Sequence, residues 1–253
     1  MKKLLFLIFG LMFTHVSMAD TINIDWLVDG QTYTQTSCNV GDSITPPTPP
    51  TKYGYTFREW RGYTLIEYIE STGTQYIDTG FKPNQDTSVI MTYLALPSAR
   101  GALFGTRLSE SGISYGDVYT GDGKFRSDYN TGEGLSCTLT SDYYSRKLTL
   151  HKDKNSSSLS TISNQYLCDV SSNIAIFQIN YNLVFPGYNS GGNVSVSNNK
   201  YRIYNFKIYD NNTLVRDFAP ALDINGTPCM YDKVSRTFFY NAGTGQFVAG
   251  PAL

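Results

Sequence analysis

The chain has 253 residues, enough for one large or two small domains and enough to bury a core without staples. Twenty tyrosines, 14 phenylalanines and 22 glycines, set against five glutamates, favour strands and turns over helix. A formal net charge of -1, which becomes -3 on loss of Lys2 and Lys3, provides no basic footprint for nucleic acid and no polybasic membrane patch, and so argues against both partner classes.

Lys2 and Lys3, the apolar run from Leu4 to Phe13, and the small residues Ser17 and Ala19 read as a signal peptide over residues 1–19, with the mature chain starting at Asp20. Loss of the two lysines takes the net charge to -3, with 18 basic and 21 acidic residues. No other apolar run approaches the ~20 residues of a spanning helix, and no Cys follows the cleavage position to carry a lipid. The expectation is an exported protein, secreted, at the cell surface or in the periplasm, without membrane insertion. Export makes Cys38, Cys137, Cys168 and Cys229 candidates for disulfides. Four cysteines permit three pairings, and small buried thiols left reduced are the alternative. No CxxC spacing suggests zinc.

Residues 20–63 form a unit of short strands: TINIDWLV, a turn at Asp29-Gly30, QTYTQTSCNV, a turn at Gly41-Asp42, the proline-rich ITPPTPP, then KYGYTFREW. Pro46, Pro47, Pro49 and Pro50 hold their segment extended, because proline fixes φ and lacks a ladder donor. Trp26 and Trp60 are expected to fill this small core. The order of these features resembles the Listeria-Bacteroides repeat, a small β-grasp-like module with a DG turn, a G-x-x-I followed by prolines, and a closing GYTFxxW. Glu59 replaces the usual Gly before the Trp, and a single copy is present.

From Leu65 on, strand-like runs recur at short spacing: LIEYI, TQYIDTG, TSVIMTYLAL, ALFGTR, ISYGDVYT, KFRSDYN, LSCTLT, RKLTLH, SLSTI and NIAIFQI. The chain closes on YRIYNFKIYDNNTLVRDFA, an antiparallel hairpin around Asp210 to Thr213 that places Tyr204, Phe206 and Ile208 on one face. This rhythm predicts an all-β fold of two packed antiparallel sheets, with helix nearly absent. LIEYIESTGTQYIDTGFKP at Leu65 to Pro83, the closing hairpin, and MYDKVSRTFFYNAGTGQFVAG resemble the two ends of LamG-like jelly-roll domains of the concanavalin A-like lectin/glucanase superfamily. The resemblance covers residues 65–250 and implies a jelly-roll sandwich of no single function.

The glucanase branch of that superfamily carries carboxylates as E-x-D-x-E on one strand, a pattern absent from this chain. Glu59, Glu67, Glu70, Glu110 and Glu133 are scattered, and a nucleophilic triad has only His151 after signal removal. Alternation in RKLTLHKD buries Leu148 and Leu150 and turns His151 outward. The sequence reading is therefore that the chain is not an enzyme. No cofactor is expected. Some LamG-like domains bind calcium, and Asp117, Asp122 and Asp128 sit in Gly-containing stretches, but turn aspartates ordinarily satisfy local backbone donors.

Recognition is the function this composition fits. Tyrosine rings offer flat apolar faces with a polar rim, and Asn and Asp direct hydrogen bonds to hydroxyls. The candidate ligand-binding residues are Tyr115, Tyr119, Asp122, Tyr129 and Asn130 in the middle loops, with Tyr181, Asn182, Tyr188 and Asn189 in the later one. The expected partner is a glycan or another cell-surface ligand, as for an adhesin-like module. A structural or protein-binding assembly module is the alternative. Cys137 and Cys168 flank a hairpin around Lys154 to Ser157 and are expected to bridge; Cys38 and Cys229 then remain free or pair across domains. Limited proteolysis is expected to cut near Gly62 and leave a stable larger fragment, with residues 65–253 folding alone by circular dichroism.

Overall fold

A computed structural model describes residues 21–28, 31–39, 42–57, 62–109, 112–119, 123–130, 134–139, 146–196 and 199–253. Residues 1–19, expected to be a signal peptide, the expected turn at Asp29 and Gly30, and Gly41, Glu59, Trp60, Glu110, Asp122 and Glu133 lie outside the described residues. The chain divides into two compact units, Met1–Trp60 and Arg61–Leu253.

In the first unit, Thr21–Val28 and Gln31–Asn39 pair antiparallel, with a bulge between Trp26 and Leu27. Trp26 is buried, and its indole N–H donates to Thr36 Oγ1 at 2.8 Å. Pro46 to Pro50 belong to no strand, as expected for residues that cannot donate to a ladder.

The second unit is two sheets packed face to face, and no helix occurs among the described residues. The smaller sheet runs in the order Leu135–Thr138, Lys124–Tyr129, Ser114–Tyr119, Gly101–Arg107, Val184–Phe185, Ile77–Asp78. A small hairpin, Tyr188–Ser190 with Asn193–Ser195, lies beside Gly101–Arg107 in a parallel pairing. The larger sheet runs Tyr166–Ser171, Ser156–Thr161, Lys147–Asp153, Thr87–Ala95, Tyr201–Asp210, Thr213–Leu222, Pro228–Asp232, Thr237–Phe239.

The closing hairpin forms between Tyr201–Asp210 and Thr213–Leu222. Asn211 and Asn212 both take positive φ, the backbone that a two-residue hairpin loop of matching twist requires. Phe206 and Ile208 face the core as their alternation predicts. Tyr204 does not: the register shifts between Ile203 and Asn205, and this bulge turns Tyr204 to the other face, where Lys147 Nζ stands 3.6 Å from its ring centroid. NIAIFQI also departs from expectation. It forms no strand beyond a single bridge at Gln178, and Ile174 and Ile176 are exposed, while Tyr166–Ser171 supplies the neighbouring strand instead.

The core is filled by rings from both layers. Phe185 of the smaller sheet stacks on Phe206 of the larger at 4.0 Å, and Phe104 meets Phe206 edge-on at 5.5 Å. Cys137 and Cys168 are joined, with Cα atoms 6.3 Å apart. This is the bridge expected around the Lys154 to Ser157 hairpin, which forms between Lys147–Asp153 and Ser156–Thr161; the bond also crosses from the end strand of the smaller sheet to the end strand of the larger. Cys38 and Cys229 carry free thiols; Cys229 is buried, and burial pushes its thiol up to about 12.

A disulfide spanning this separation is worth ~3–4 kcal/mol by loop entropy. Replacing Cys137 and Cys168 with Ser is expected to remove that much stability in urea unfolding, with an unchanged strand signature by circular dichroism.

Candidate functional site

Alternation along Gly101–Arg107 and Ser114–Tyr119 turns Phe104, Tyr115, Asp117 and Tyr119 into the core and leaves Gly105 and Gly116 on the outer face, paired with each other. Neither has a side chain, and the ring of Tyr188 occupies the space. A Cβ on Gly105 would stand 2.4 Å from Tyr188 Cε2, and one on Gly116 3.1 Å from the same atom. Two strand glycines thus form the bed of an aromatic ring on the outside of the sheet.

Tyr188 is fixed at its far end as well. Its hydroxyl donates to Asp128 Oδ2 at 2.9 Å, and Ser114 is a second hydrogen-bond partner. Burial, then the Asp128 charge, hold the phenol well above its ordinary range. Asp128 stands on the outer face beside Arg126. Arg126 Nη2 donates to Oδ2 at 3.3 Å, while Nε and Oδ1 lie 3.0 Å apart without the alignment of a hydrogen bond. Burial raises the Asp128 pKa, and the Arg126 guanidinium opposes that shift. The Arg107 guanidinium lies 5.4 Å from the Tyr188 ring centroid, and its Nε donates to Ser190 Oγ at 2.9 Å.

Between this outer face and the small hairpin lies a pocket of about 180 Å³. Gly101, Ala102 and Val118 give it an apolar floor; Arg107, Arg126, Tyr188, Ser190, Ser195 and Asn199 supply its polar walls. It falls below the ~300–1,000 Å³ of drug-sized sites, which limits an occupant to a single ring-sized group. Asn199 is 1 % exposed, yet neither Nδ2 nor Oδ1 has a hydrogen-bond partner among the described residues. A buried amide left unmatched costs ~1–3 kcal/mol, and a ligand offering one donor and one acceptor would recover it.

A second polar group lies wholly inside the sandwich. Lys152 of the larger sheet, 0 % exposed, reaches Asp117, Ser127 and Ser157, all buried. Burial lowers the lysine pKa and raises that of Asp117, with each group's charge opposing the other's shift.

The structure separates the sequence candidates into two groups. Tyr115, Tyr119 and Tyr129 are core residues, so their rings are not available to a ligand. Tyr115 OH donates to Thr87 O at 2.8 Å, Tyr129 OH donates to Ala175 O at 3.1 Å, and the Tyr119 and Tyr93 hydroxyls bond each other across the sheets. Alternation alone could not tell which face was interior. Asn130 is a positive-φ turn residue whose N–H donates to Ser114 O. The later group converges around the small hairpin. Tyr188 lines the pocket, Asn189 is buried with Nδ2 donating to Asn182 O at 3.0 Å, and Tyr181 is half-buried close to Gly192.

Asp117 and Asp128 are strand residues on opposite faces of one sheet, each beside a cation, so they do not share a metal site. Among the described residues no group of three His, Cys, Asp or Glu side chains converges. Glu70 pairs with Arg202 at 2.6 Å, and Glu67 lies 3.7 Å from Lys147. His151 is exposed, as its outward position in the strand requires. Arg107, Arg126 and Asn199 were missed by the sequence reading. Two signals were available: glycines inside strands, which mark close approach, and the alternation of KFRSDYN, which sets Arg126 and Asp128 opposite Phe125 and Ser127.

No protein-family model matches the chain, and no curated protein matches it. Solved structures similar to it include the mouse laminin α1 chain, domains LG4-5, with TM-score 0.43, 15 % identity, and coverage of 73 % of this chain and 46 % of that one. A Trypanosoma rangeli sialidase mutant displaying trans-sialidase activity is similar with TM-score 0.34 and 15 % identity over 51 % of this chain and 21 % of that one. Trypanosoma rangeli sialidase in complex with 2,3-difluorosialic acid is similar with TM-score 0.36 and 13 % identity over 76 % and 30 %. The chain spans less than half the length of each.

These likenesses are too weak to identify a relative, and the sandwich rests on its own strand order and packing. They correct one expectation. The sequence reading excluded an enzyme, but two of these three similar structures are sialidases, and that exclusion is dropped. No helix among the described residues is long and apolar enough to cross a membrane.

Gly105→Ala is expected to displace the Tyr188 ring and lower stability by ~1–3 kcal/mol, as overpacking does. Combined with Tyr188→Ala, the same change should cost less than the sum of the two single variants in a double-mutant cycle read by thermal unfolding.

Proposed function

We propose that this chain is an exported recognition module that binds carbohydrate, or another cell-surface ligand, in the pocket between the outer face of the smaller sheet and the Tyr188–Ser195 hairpin. On this reading the sandwich is a LamG-like jelly roll over residues 65–250, preceded by a Listeria-Bacteroides repeat-like module over residues 20–63. Export rests on the signal-like residues 1–19 and accords with the Cys137–Cys168 bond.

The observation that carries the proposal is the Asn199 amide, buried in the pocket wall with both polar atoms unmatched. The apolar floor of Ala102 and Val118 suits the carbon face of a sugar ring, and the guanidinium, hydroxyl and amide groups around it suit its hydroxyls. Arg126 and Tyr188 are already held by Asp128, so ligand binding orders little that is not ordered beforehand. A site of one ring gives modest monovalent affinity, raised where several copies meet a many-branched surface.

The test is a glycan array probed with the mature protein and its Asn199→Ala variant. The variant is expected to bind about tenfold more weakly, the ~1.4 kcal/mol of one or two lost hydrogen bonds, without loss of melting temperature, because it also removes unmatched buried groups. An array without hits sinks the carbohydrate reading in favour of a protein-binding or assembly module.

A further inference from the structure

Lysine is almost never fully buried unless paired, and a buried ion pair recovers its desolvation cost only with excellent geometry. Lys152 lies on the inner face of the larger sheet and Asp117 on the inner face of the smaller, both 0 % exposed, with Nζ 3.5 Å from Oδ1. That separation is long for an ammonium–carboxylate hydrogen bond. The shorter contacts run through two serines instead. Nζ is 2.6 Å from Ser127 Oγ, Ser127 Oγ is 2.7 Å from Ser157 Oγ, and Ser157 Oγ is 3.1 Å from Asp117 Oδ1. An amine and a carboxyl are thus held side by side and also connected by an unbroken line of hydroxyls. The Tyr115 ring, 4.9 Å from Nζ, helps to close the site off.

We propose that Lys152 and Asp117 condense to an amide that links the two sheets covalently. The reactive form is the neutral pair, an amine facing a carboxyl protonated on Oδ1, so that one further proton makes this oxygen a water. The Nζ lone pair attacks Asp117 Cγ and the C–N bond forms. One Nζ proton passes to Ser127 Oγ as Ser127 gives its own to Ser157 Oγ and Ser157 gives its own to Oδ1. The Cγ–Oδ1 bond then breaks, its electron pair leaves with the oxygen, and one water is released. No oxidant, reductant or further reactant is needed, and both serines end as they began.

Burial favours this reaction in two ways. It holds the lysine pKa below and the aspartate pKa above their ordinary values, which populates the neutral pair. The product amide, whose carbonyl oxygen is Oδ2, replaces two buried ionisable groups with one neutral group that has Ser127 beside its nitrogen and Ser157 beside its carbonyl. Asp128, the other charge that acts on Lys152, lies on the far face of the sheet with Arg126 and Tyr188, so it does not compete for the amine.

The experiment is the intact mass of the purified, reduced and denatured full chain, followed by peptide mapping. The expected result is a mass lower by one water than the sequence requires, with the peptides containing Asp117 and Lys152 recovered as one linked species. Chain purified in denaturant before folding should carry the full mass and lose the water on refolding. Lys152→Met should keep the full mass throughout, as should Asp117→Ala. Recovery of the two peptides separately from folded wild-type protein overturns the proposal, as does a lost water that maps to any other residue. The wild-type mass decides the question even where a variant fails to fold.

Discussion

Tyrosine hydroxyls carried into the sandwich need partners there, because an unmatched hydroxyl in an apolar interior costs ~1–3 kcal/mol, enough to offset what burying its ring gains. Tyr115 reaches Thr87 O, Tyr201 reaches Gly101 O, and Tyr93 and Tyr119 meet each other, each spanning from one layer to the other. These contacts set how the two sheets slide and turn relative to one another, since a shift of one residue would break several together. Phe104, Phe185, Phe206 and Phe218 fill the space between them but would tolerate more sliding, having no polar atom to place.

The outer pocket is a consequence of that interior. With Tyr115, Asp117 and Tyr119 committed inward, Gly116 and Val118 have to face out, and with Phe125 and Ser127 inward, Arg126 and Asp128 have to face out. The flat bed for Tyr188, the apolar floor and the guanidinium wall all follow from a single choice of face. Asp128 then links them, taking the Tyr188 hydroxyl on one side and Arg126 on the other. Arg107, Arg126, Tyr188, Ser190 and Ser195 are consequently held by strands, with Asn199 alone of the polar wall residues outside one, which favours a preformed site.

Much of this fold was legible because strand alternation and turn chemistry are local. The closing hairpin could be read from four residues, Asp210 to Thr213, and the two-sheet plan from the spacing of short apolar runs. Tyr204 escaped because a bulge inserts one residue that no local pattern announces. The tyrosines of the middle third were assigned to a ligand because period-2 reasoning gives two faces without saying which is inside. Lys152 was overlooked for the opposite reason: its alternation with Leu148 and Leu150 points inward, but a lysine is expected at the surface. Asn199 sits in no strand, and nothing in its neighbours' identities marks it.

The position of the disulfide has a consequence beyond the energy of one cross-link. Leu135–Thr138 and Tyr166–Ser171 are the terminal strands of their sheets, each with one row of backbone groups that no strand among the described residues pairs, and each carrying an exposed apolar side chain, Leu135 or Tyr166. Such margins are templates for strand addition from another molecule. Tying Cys137 to Cys168 keeps the two margins together, so that neither can swing out to receive a foreign strand. In a reducing compartment this seam would open, and the same loss of a cross-link that lowers folding stability would also free the two margins to take up strands from other molecules.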